Sequence, residues 1–156
     1  KVGDLVDLQG QLGYVDEIQV FNTVLTSLDN KKIIVPNGIA TSGIMTNLST
    51  NEYLRVDLNA SMPYEEDFDK VQGIIMEALK ATPKVMLDPA PVVEIEKFNE
   101  HNILLAVRPY STTEDYWDVY FGAYKNVKAA LGKHGIKVAY PVREVKVQNG
   151  QLASVN

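Results

Sequence analysis

Through the first fifty residues, short runs of Val, Ile, Leu and Thr alternate with polar positions and are cut at close intervals by Gly or Asp-Asn. A period of two belongs to strands with one buried face rather than to helices. It predicts strands over Leu5 to Leu8, Tyr14 to Ile18, Thr23 to Leu28, Lys32 to Val35 and Ile44 to Asn47. Gly10 and Gly13 are expected at tight reversals that a Cβ would resist, and Asp29-Asn30 at a hairpin turn whose side chains tolerate positive φ. Pro36, Asn37 and Gly38 are expected to form a structural turn, because a strand ending in Pro-Asn-Gly must reverse sharply. Five short, strongly bent strands predict a small β-barrel domain over residues 1–50.

The pattern changes across the polar run Leu48 to Glu52, which is where a domain boundary is expected. Tyr53 to Ala60 alternates Tyr53, Arg55, Asp57 and Asn59 against Leu54, Val56, Leu58 and Ala60, which predicts one further strand. Glu65, Glu66 and Asp67 place negative charge at a helix start, and Phe68, Val71, Ile75, Ala78 and Leu79 follow at helical spacing to about Ala81. Thr82 to Pro91 holds prolines at 83, 89 and 91 and reads as a connection, with one turn of helix around Lys84 to Leu87. Val92 to Phe98 and Ile103 to Tyr110 predict a hairpin. Ser111 is expected to cap the next helix with Glu114 as its capping-box partner, and Trp117, Tyr120, Tyr124, Val127 and Leu131 trace its buried stripe. Gly135 is expected to end that helix, and Ile136 to Tyr140 to form a last short strand before Pro141. The order β-α-β-β-α-β over residues 51–141 is that of the ferredoxin-like split arrangement, so the fold class is α+β. Residues 142–147 read as a lone terminal strand, and 148–156 as a mobile tail.

Composition narrows the functional classes. No window reaches the ~18–20 consecutive apolar residues that a membrane-spanning helix needs. The chain has no cysteine, which removes thiolate metal sites and thiol nucleophiles, and its net charge of −5 argues against broad contact with a phosphate backbone, so nucleic acid is not expected as a partner. His101 falls in a hairpin turn and His134 at a helix end, neither beside a ligand pattern. Glu65, Glu66, Asp67 and Asp69 read as a charged helix start rather than a carboxylate site. Tyr116, Trp117, Tyr120 and Tyr124 lie at core spacing on a helix and are expected to pack inward rather than to stack bases. No nucleotide-binding glycine motif or nucleophile elbow occurs. The expectation is no enzyme, no metal and no cofactor.

The ordered elements V-G-D-x-V, G-x-x-G-x-V, T-x-x-D-N-x-x-I-I-V-P-N-G and I-x-T-N resemble the β-domain of the small-conductance mechanosensitive channel family, and L-G-K-H-G-I-K-V-A-Y-P-V-R-E-V-K-V is similar to that family's end. The resemblance runs from Val2 to Val147. It implies an Sm/SH3-like barrel followed by the ferredoxin-like domain, in the cytoplasmic region of an inner-membrane ion channel. It also implies pore helices upstream of Lys1, which the abrupt start at a strand leads one to expect. In this family seven copies enclose a vestibule with side openings, through which ions and small solutes pass when membrane tension opens the gate in hypo-osmotic shock. Glu52 and Arg55 would then stand near a side opening. The terminal strand would pair with its copies in neighbouring subunits, with a two-residue stagger setting Glu144 beside Lys146 and Val145 beside Val147, starting from Val142. A second reading from the residues, a nucleic-acid or other binding module on an Sm-like barrel plus a ferredoxin-like domain, meets the acidic charge as its main obstacle.

Overall fold

In a computed structural model, residues 1–137 and Pro141 are described, and the alternation of the first fifty residues becomes a single five-stranded sheet. Its strands are β1 (Leu5–Leu8), β2 (Gln11–Ile18), β3 (Asn22–Ser27), β4 (Lys32–Pro36) and β5 (Met45–Asn47), in the spatial order β4-β3-β2-β1-β5. A short helix, α1 (Asn37–Ser42), leads from β4 toward β5, so it carries the chain between the two edge strands. The buried alternates Val6, Leu8, Val15, Leu25 and Val35 meet on the inner face, with Ile33 and Ala40 packed against them. A bulge between Val15 and Glu17 adds one unpaired residue to β2, which increases local twist and bends the sheet around that core.

Gly10 makes the expected reversal: its φ is +84°, and its N–H donates to Asp7 Oδ1 at 2.7 Å. Gly13 does not. It lies inside β2, opposite Val6 and Ser27, where a Cβ would stand 2.8 Å from the Thr26 carbonyl oxygen. Glycine is needed there for close approach of two backbones. Asn30 takes the left-handed conformation at φ 62°, as its turn requires. Pro36-Asn37-Gly38 departs from the expected turn, because Asn37 and Gly38 open α1 with Pro36 as the residue before it. Pro at a helix entrance loses nothing by lacking an N–H. Ile44 falls outside β5 and is 86% exposed.

Beyond Leu48, the single strand expected over Tyr53 to Ala60 is two, β6 (Leu54–Arg55) and β7 (Leu58–Met62). The expected Ile103 to Tyr110 likewise divides into β9 (Ile103–Arg108) and β10 (Tyr110–Ser111). Pro109 is the cause, since it has no N–H to give to a ladder. Its carbonyl instead accepts the Val56 N–H at 2.8 Å, so β6 pairs with β10 on one side of this seam and β7 with β9 on the other. With β8 (Val92–Phe98), these form a three-stranded antiparallel sheet in the order β7-β9-β8, the first-third-second arrangement of the ferredoxin-like pattern. Of the expected last strand, Ile136 and Lys137 are not in a strand, and 138–140 lie outside the described residues. The terminal strand 142–147 and the tail 148–156 also lie outside them.

Two helices cover this sheet. In α2 (Phe68–Lys80) the Asp67 carboxylate accepts from the Lys70 N–H at 2.9 Å, which places the helix start three residues later than the acidic run alone suggests. Val71, Ile75, Ala78 and Leu79 are buried as their spacing predicts, and Gln72 donates to the Val93 carbonyl of β8 at 2.7 Å. The expected helical turn at Lys84 to Leu87 does not form, and Lys84 sits at φ 69°. Helix α3 (Tyr116–Lys133) buries Val119, Ala123 and Val127; of the expected stripe Val127 is buried and Tyr120 and Leu131 pack against the core, while Trp117 and Tyr124 stay exposed. Ser111 is not its cap. It belongs to β10, fully buried, and the turn before α3 is closed by Thr112 and Asp115. At the other end Gly135, at φ 72°, completes a Schellman closure, with its N–H donating to Gly132 O and the Ile136 N–H to Leu131 O. The buried side chains of β7, β8, β9, α2 and α3 make a second apolar cluster that shares no member with the first.

A buried hydroxyl locks the helices together. Thr82 Oγ1 donates to the Ala78 carbonyl at 2.7 Å and accepts from Asn126 Nδ2 at 2.9 Å. On the surface, the Lys84 ammonium donates to Asp115 Oδ1 at 2.8 Å and Asp118 Oδ2 at 2.6 Å. These bonds hold the Asp115 carboxyl below the usual carboxylate range and the Lys84 ammonium above its own.

Two expectations follow from this packing. Gly13→Ala should cost about 1–3 kcal/mol in urea unfolding, the usual range for forcing atoms into a filled space; an unchanged midpoint would show that β2 and β3 can part freely. The Lys84 cluster sets a pH window: a depressed carboxyl pKa stabilises above the ordinary value of about 3.9 and ceases to do so as pH falls through the lowered one. The raised ammonium pKa contributes below about 10.4 and is lost as pH climbs through the raised value. Lys84→Met should therefore lower Tm by more at pH 7 than at pH 2. A gap of equal size at both pH values would assign the effect to packing instead.

Candidate functional site

Two polar constellations stand out, and the first is built on Asn37. Its side-chain amide donates to the Gln19 carbonyl at 2.9 Å and to the Val20 carbonyl at 3.0 Å, while its oxygen accepts from Thr23 Oγ1 at 2.9 Å. Its backbone N–H donates to the Phe21 carbonyl at 2.8 Å. One residue at the start of α1 thus makes four hydrogen bonds to the β2–β3 tip. The tip carries Val20 and Phe21, which are 84% and 80% exposed. Sequence reasoning singled out the Pro-Asn-Gly stretch for its turn and missed this role, since nothing in spacing pairs Asn37 with residues 14 to 18 positions earlier.

The second constellation lies at the seam made by Val56 and Pro109. Arg55 grips Asp57 in a bidentate pair, Nε to Oδ1 at 2.6 Å and the terminal nitrogen to Oδ2 at 3.1 Å. Arg108 approaches the same carboxylate, its Nε 3.8 Å from Oδ1, and that buried nitrogen has no hydrogen-bond partner among the described residues. The Asp57 carboxylate holds the Arg55 guanidinium above its ordinary pKa. Nearby, burial pushes the Tyr116 hydroxyl up, and the Asp57 charge adds to it. Glu52, the other residue expected at a side opening, lies in an exposed bend and forms no ion pair with a described residue. The structure therefore pairs Arg55 with Asp57, which Arg108 also approaches, and not with Glu52. The signal for Asp57 was in the chain, because Arg55 and Asp57 occupy alternate positions on the polar face of one extended segment. Arg108 could not be foreseen from spacing.

Beside this cluster, Leu5, Leu12, Leu48, Leu54, Tyr116 and Trp117 line a small apolar cavity of about 140 Å³ between the five-stranded sheet and the start of α3. Thr113 Oγ1 donates to the Leu48 carbonyl at 3.0 Å across the same junction. The site offers fixed charges and apolar walls. Among the described residues no three metal-ligating side chains converge, and nothing in the geometry points to catalysis.

The comparisons with known proteins bear on what such a junction serves. Residues 1–50 match the family described as the mechanosensitive ion channel β-domain, and residues 56–138 match the mechanosensitive ion channel MscS, C-terminal family. The chain belongs to the MscS family of mechanosensitive ion channels. It is 31% identical over 145 residues to the small-conductance mechanosensitive channel of Edwardsiella ictaluri, covering 93% of this chain and 51% of that protein. An MscS family protein of Synechocystis is 27% identical over 146 residues, covering 93% of this chain and 49% of its own length. The chain thus spans about half the length of these relatives. In fold it is similar to the closed-state crystal structure of Helicobacter pylori MscS, with a TM-score of 0.86 at 21% identity over 96% of this chain and 59% of that one. It also resembles the cryo-EM structure of wild-type Arabidopsis thaliana MSL1, with a TM-score of 0.73 at 18% identity over 91% of this chain and 51% of that one. No helix among the described residues of this MscS-family chain is long and apolar enough to cross a membrane.

The Asn37 bonds make a direct expectation. A net hydrogen bond contributes about 0.5–1.5 kcal/mol, so losing both side-chain donations should raise amide hydrogen exchange at Gln19 to Thr23 by roughly tenfold. Asn37→Ala and Asn37→Asp should behave alike, because Asp keeps the acceptor for Thr23 but neither donor. Unchanged exchange in both variants would mean that the tip is held by its strands alone.

Proposed function

We propose that this chain forms the vestibule region of a mechanosensitive ion channel, on the cytoplasmic side of the inner membrane. The family matches to both the β-domain and the C-terminal region carry this reading. The relative from Edwardsiella ictaluri, itself a small-conductance mechanosensitive channel, supports it. Residues 1–50 and 51–141 act as two domains, the first packing beneath the membrane and the second enclosing the solute-filled space. Pore helices belong to sequence beyond this chain. The assembly is a homo-oligomer, a heptamer in the whole channel, to which the strand 142–147 contributes by pairing with its copies. Membrane tension opens the pore and releases ions and small solutes in hypo-osmotic shock.

Within that reading, the junction residues Glu52 and Arg55 flank a side opening and bias which ions enter. The Arg55–Asp57–Arg108 group carries a net charge of +1, close enough to passing ions to act within the ~8 Å screening distance of physiological salt. Glu52 adds a negative charge a few residues away. The whole protein, expressed in cells stripped of their own mechanosensitive channels, should give pressure-activated currents in excised patches. In a salt gradient, Arg55→Glu should shift the reversal potential toward cations and Glu52→Lys toward anions. Absence of pressure-activated current would contradict the function, and unmoved reversal potentials in both variants would remove these residues from the ion path.

A further inference from the structure

The chain enters the five-stranded sheet at Asp4 and leaves it at Asn47, and side chains tie these two places together. Gly3, at φ 91°, turns the chain into β1, and its N–H donates to the Val15 carbonyl at 2.8 Å. At that corner the Asp4 side chain is only 16% exposed. Its carboxylate accepts from Asn47 Nδ2 at 2.7 Å and from the Lys1 amino group at 2.9 Å. Asn47 Oδ1 in turn accepts from the Ser49 N–H at 2.9 Å, and Ser49 Oγ accepts from the Leu5 N–H at 2.9 Å. The Leu48 N–H donates to the Leu5 carbonyl at 2.9 Å. The backbone ladder between β1 and β5 covers only Val6–Leu8 and Met45–Asn47. Polar side chains therefore carry the pairing past the end of the ladder, where the chain both arrives and departs.

The same bonds reach the second half of the chain. The Leu48 carbonyl accepts from Thr113 Oγ1, in the turn before α3, at 3.0 Å, and Leu5 and Leu48 line the junction cavity with Leu54, Tyr116 and Trp117. This route from Asp4 to Thr113 bypasses β2, β3 and β4, so a displacement at the entrance need not pass through the sheet. A route of this kind couples two parts only if moving one of them strains or breaks it. Nothing pulls on the chain in this arrangement, so the bonds belong to the resting state. A pull on the segment upstream of Lys1 either carries the second half along through Thr113 or parts Asp4 from Asn47. Each costs free energy on opening alone, so an intact link opposes opening.

We propose that Asp4, Asn47 and Ser49 form a clasp that couples the pore-bearing upstream segment to the second half of the chain through Thr113, and that this clasp favours the closed channel. The inference rests on the channel reading above and adds a positioning device to it. Patch recordings of the full-length channel test it. Asn47→Asp keeps the acceptor for Ser49 but sets a second carboxylate against Asp4. At a fixed tension below the parent's threshold it should raise the open-to-closed ratio roughly tenfold, the effect of losing one hydrogen bond to a charged group. Adding Asp4→Asn restores donor and acceptor in reversed order and should return the ratio to the parent's. Thr113→Val removes the Oγ1 bond and should raise the ratio as well; combined with Asn47→Asp it should add little, because both open the same link. Unit conductance and the light-scattering mass of the solubilised channel should stay unchanged throughout, whereas a sheet that merely loses stability would reduce the number of channels and leave the threshold where it was. A parent-like ratio in Asn47→Asp or in Thr113→Val, a reversed pair that recovers nothing, or additive effects of the two variants would overturn the clasp and leave the channel reading standing. Absence of pressure-activated current from the parent channel would overturn both.

Discussion

Pro109 has no N–H, and much of this molecule's second half is arranged around that fact. A long antiparallel pairing between residues 54–62 and 103–111 cannot run through a residue that donates nothing. The ladder breaks, and Val56, fully buried, bridges the break by donating to the Pro109 carbonyl. On one side, β6 and β10 form a two-residue pair that reaches toward the first fifty residues; on the other, β7 and β9 form the centre of a core. The residues flanking the seam are Arg55 and Asp57 on one strand and Arg108 and Tyr110 on the other. The same break that separates the two ladders thus gathers two guanidinium groups around one carboxylate, at the junction between the two halves of the chain.

How much of this could be read from the sequence depended on the range of the physics involved. Period-two alternation, the left-handed turns at Gly10 and Asn30, the amphipathic face of α2 and the closing glycine of α3 are each decided within a few residues, and each matches its expectation. The differences arise where distant chain segments meet. Gly13 was expected to turn, but its real constraint is the Thr26 backbone across the sheet. Ser111 fits a cap motif locally, yet β6 captures it into a strand first. On α3, helical spacing rightly places Val127 in the core with Tyr120 and Leu131 against it, but the fully buried positions beside Val127 are the smaller Val119 and Ala123, and Trp117 and Tyr124 remain exposed. At the candidate site, Arg55 and the alternate position of Asp57 were legible; the approach of Arg108 and the four-bond role of Asn37 were not, because both depend on tertiary contact.

A division of labour follows for an MscS-family chain of this kind. The first half is a bent sheet whose tip, with exposed Val20 and Phe21, is hydrogen-bonded to Asn37. In the second half a two-helix layer presents charge and aromatic surface outward. Between them lies a junction with little shared core, a small apolar cavity and a fixed cluster of charges. Charges in that position contribute little to folding, since exposed pairs contribute only about 0–1 kcal/mol.

We propose that in the assembled channel this junction borders the path of ions. The most direct measurement is a cryo-EM map of the full-length protein in lipid, at a resolution that shows side chains. The expected result is an oligomeric ring in which the Arg55–Asp57–Arg108 cluster faces a solvent opening continuous with the pore. A ring in which a neighbouring subunit buries that cluster, with no opening at the junction, would contradict it.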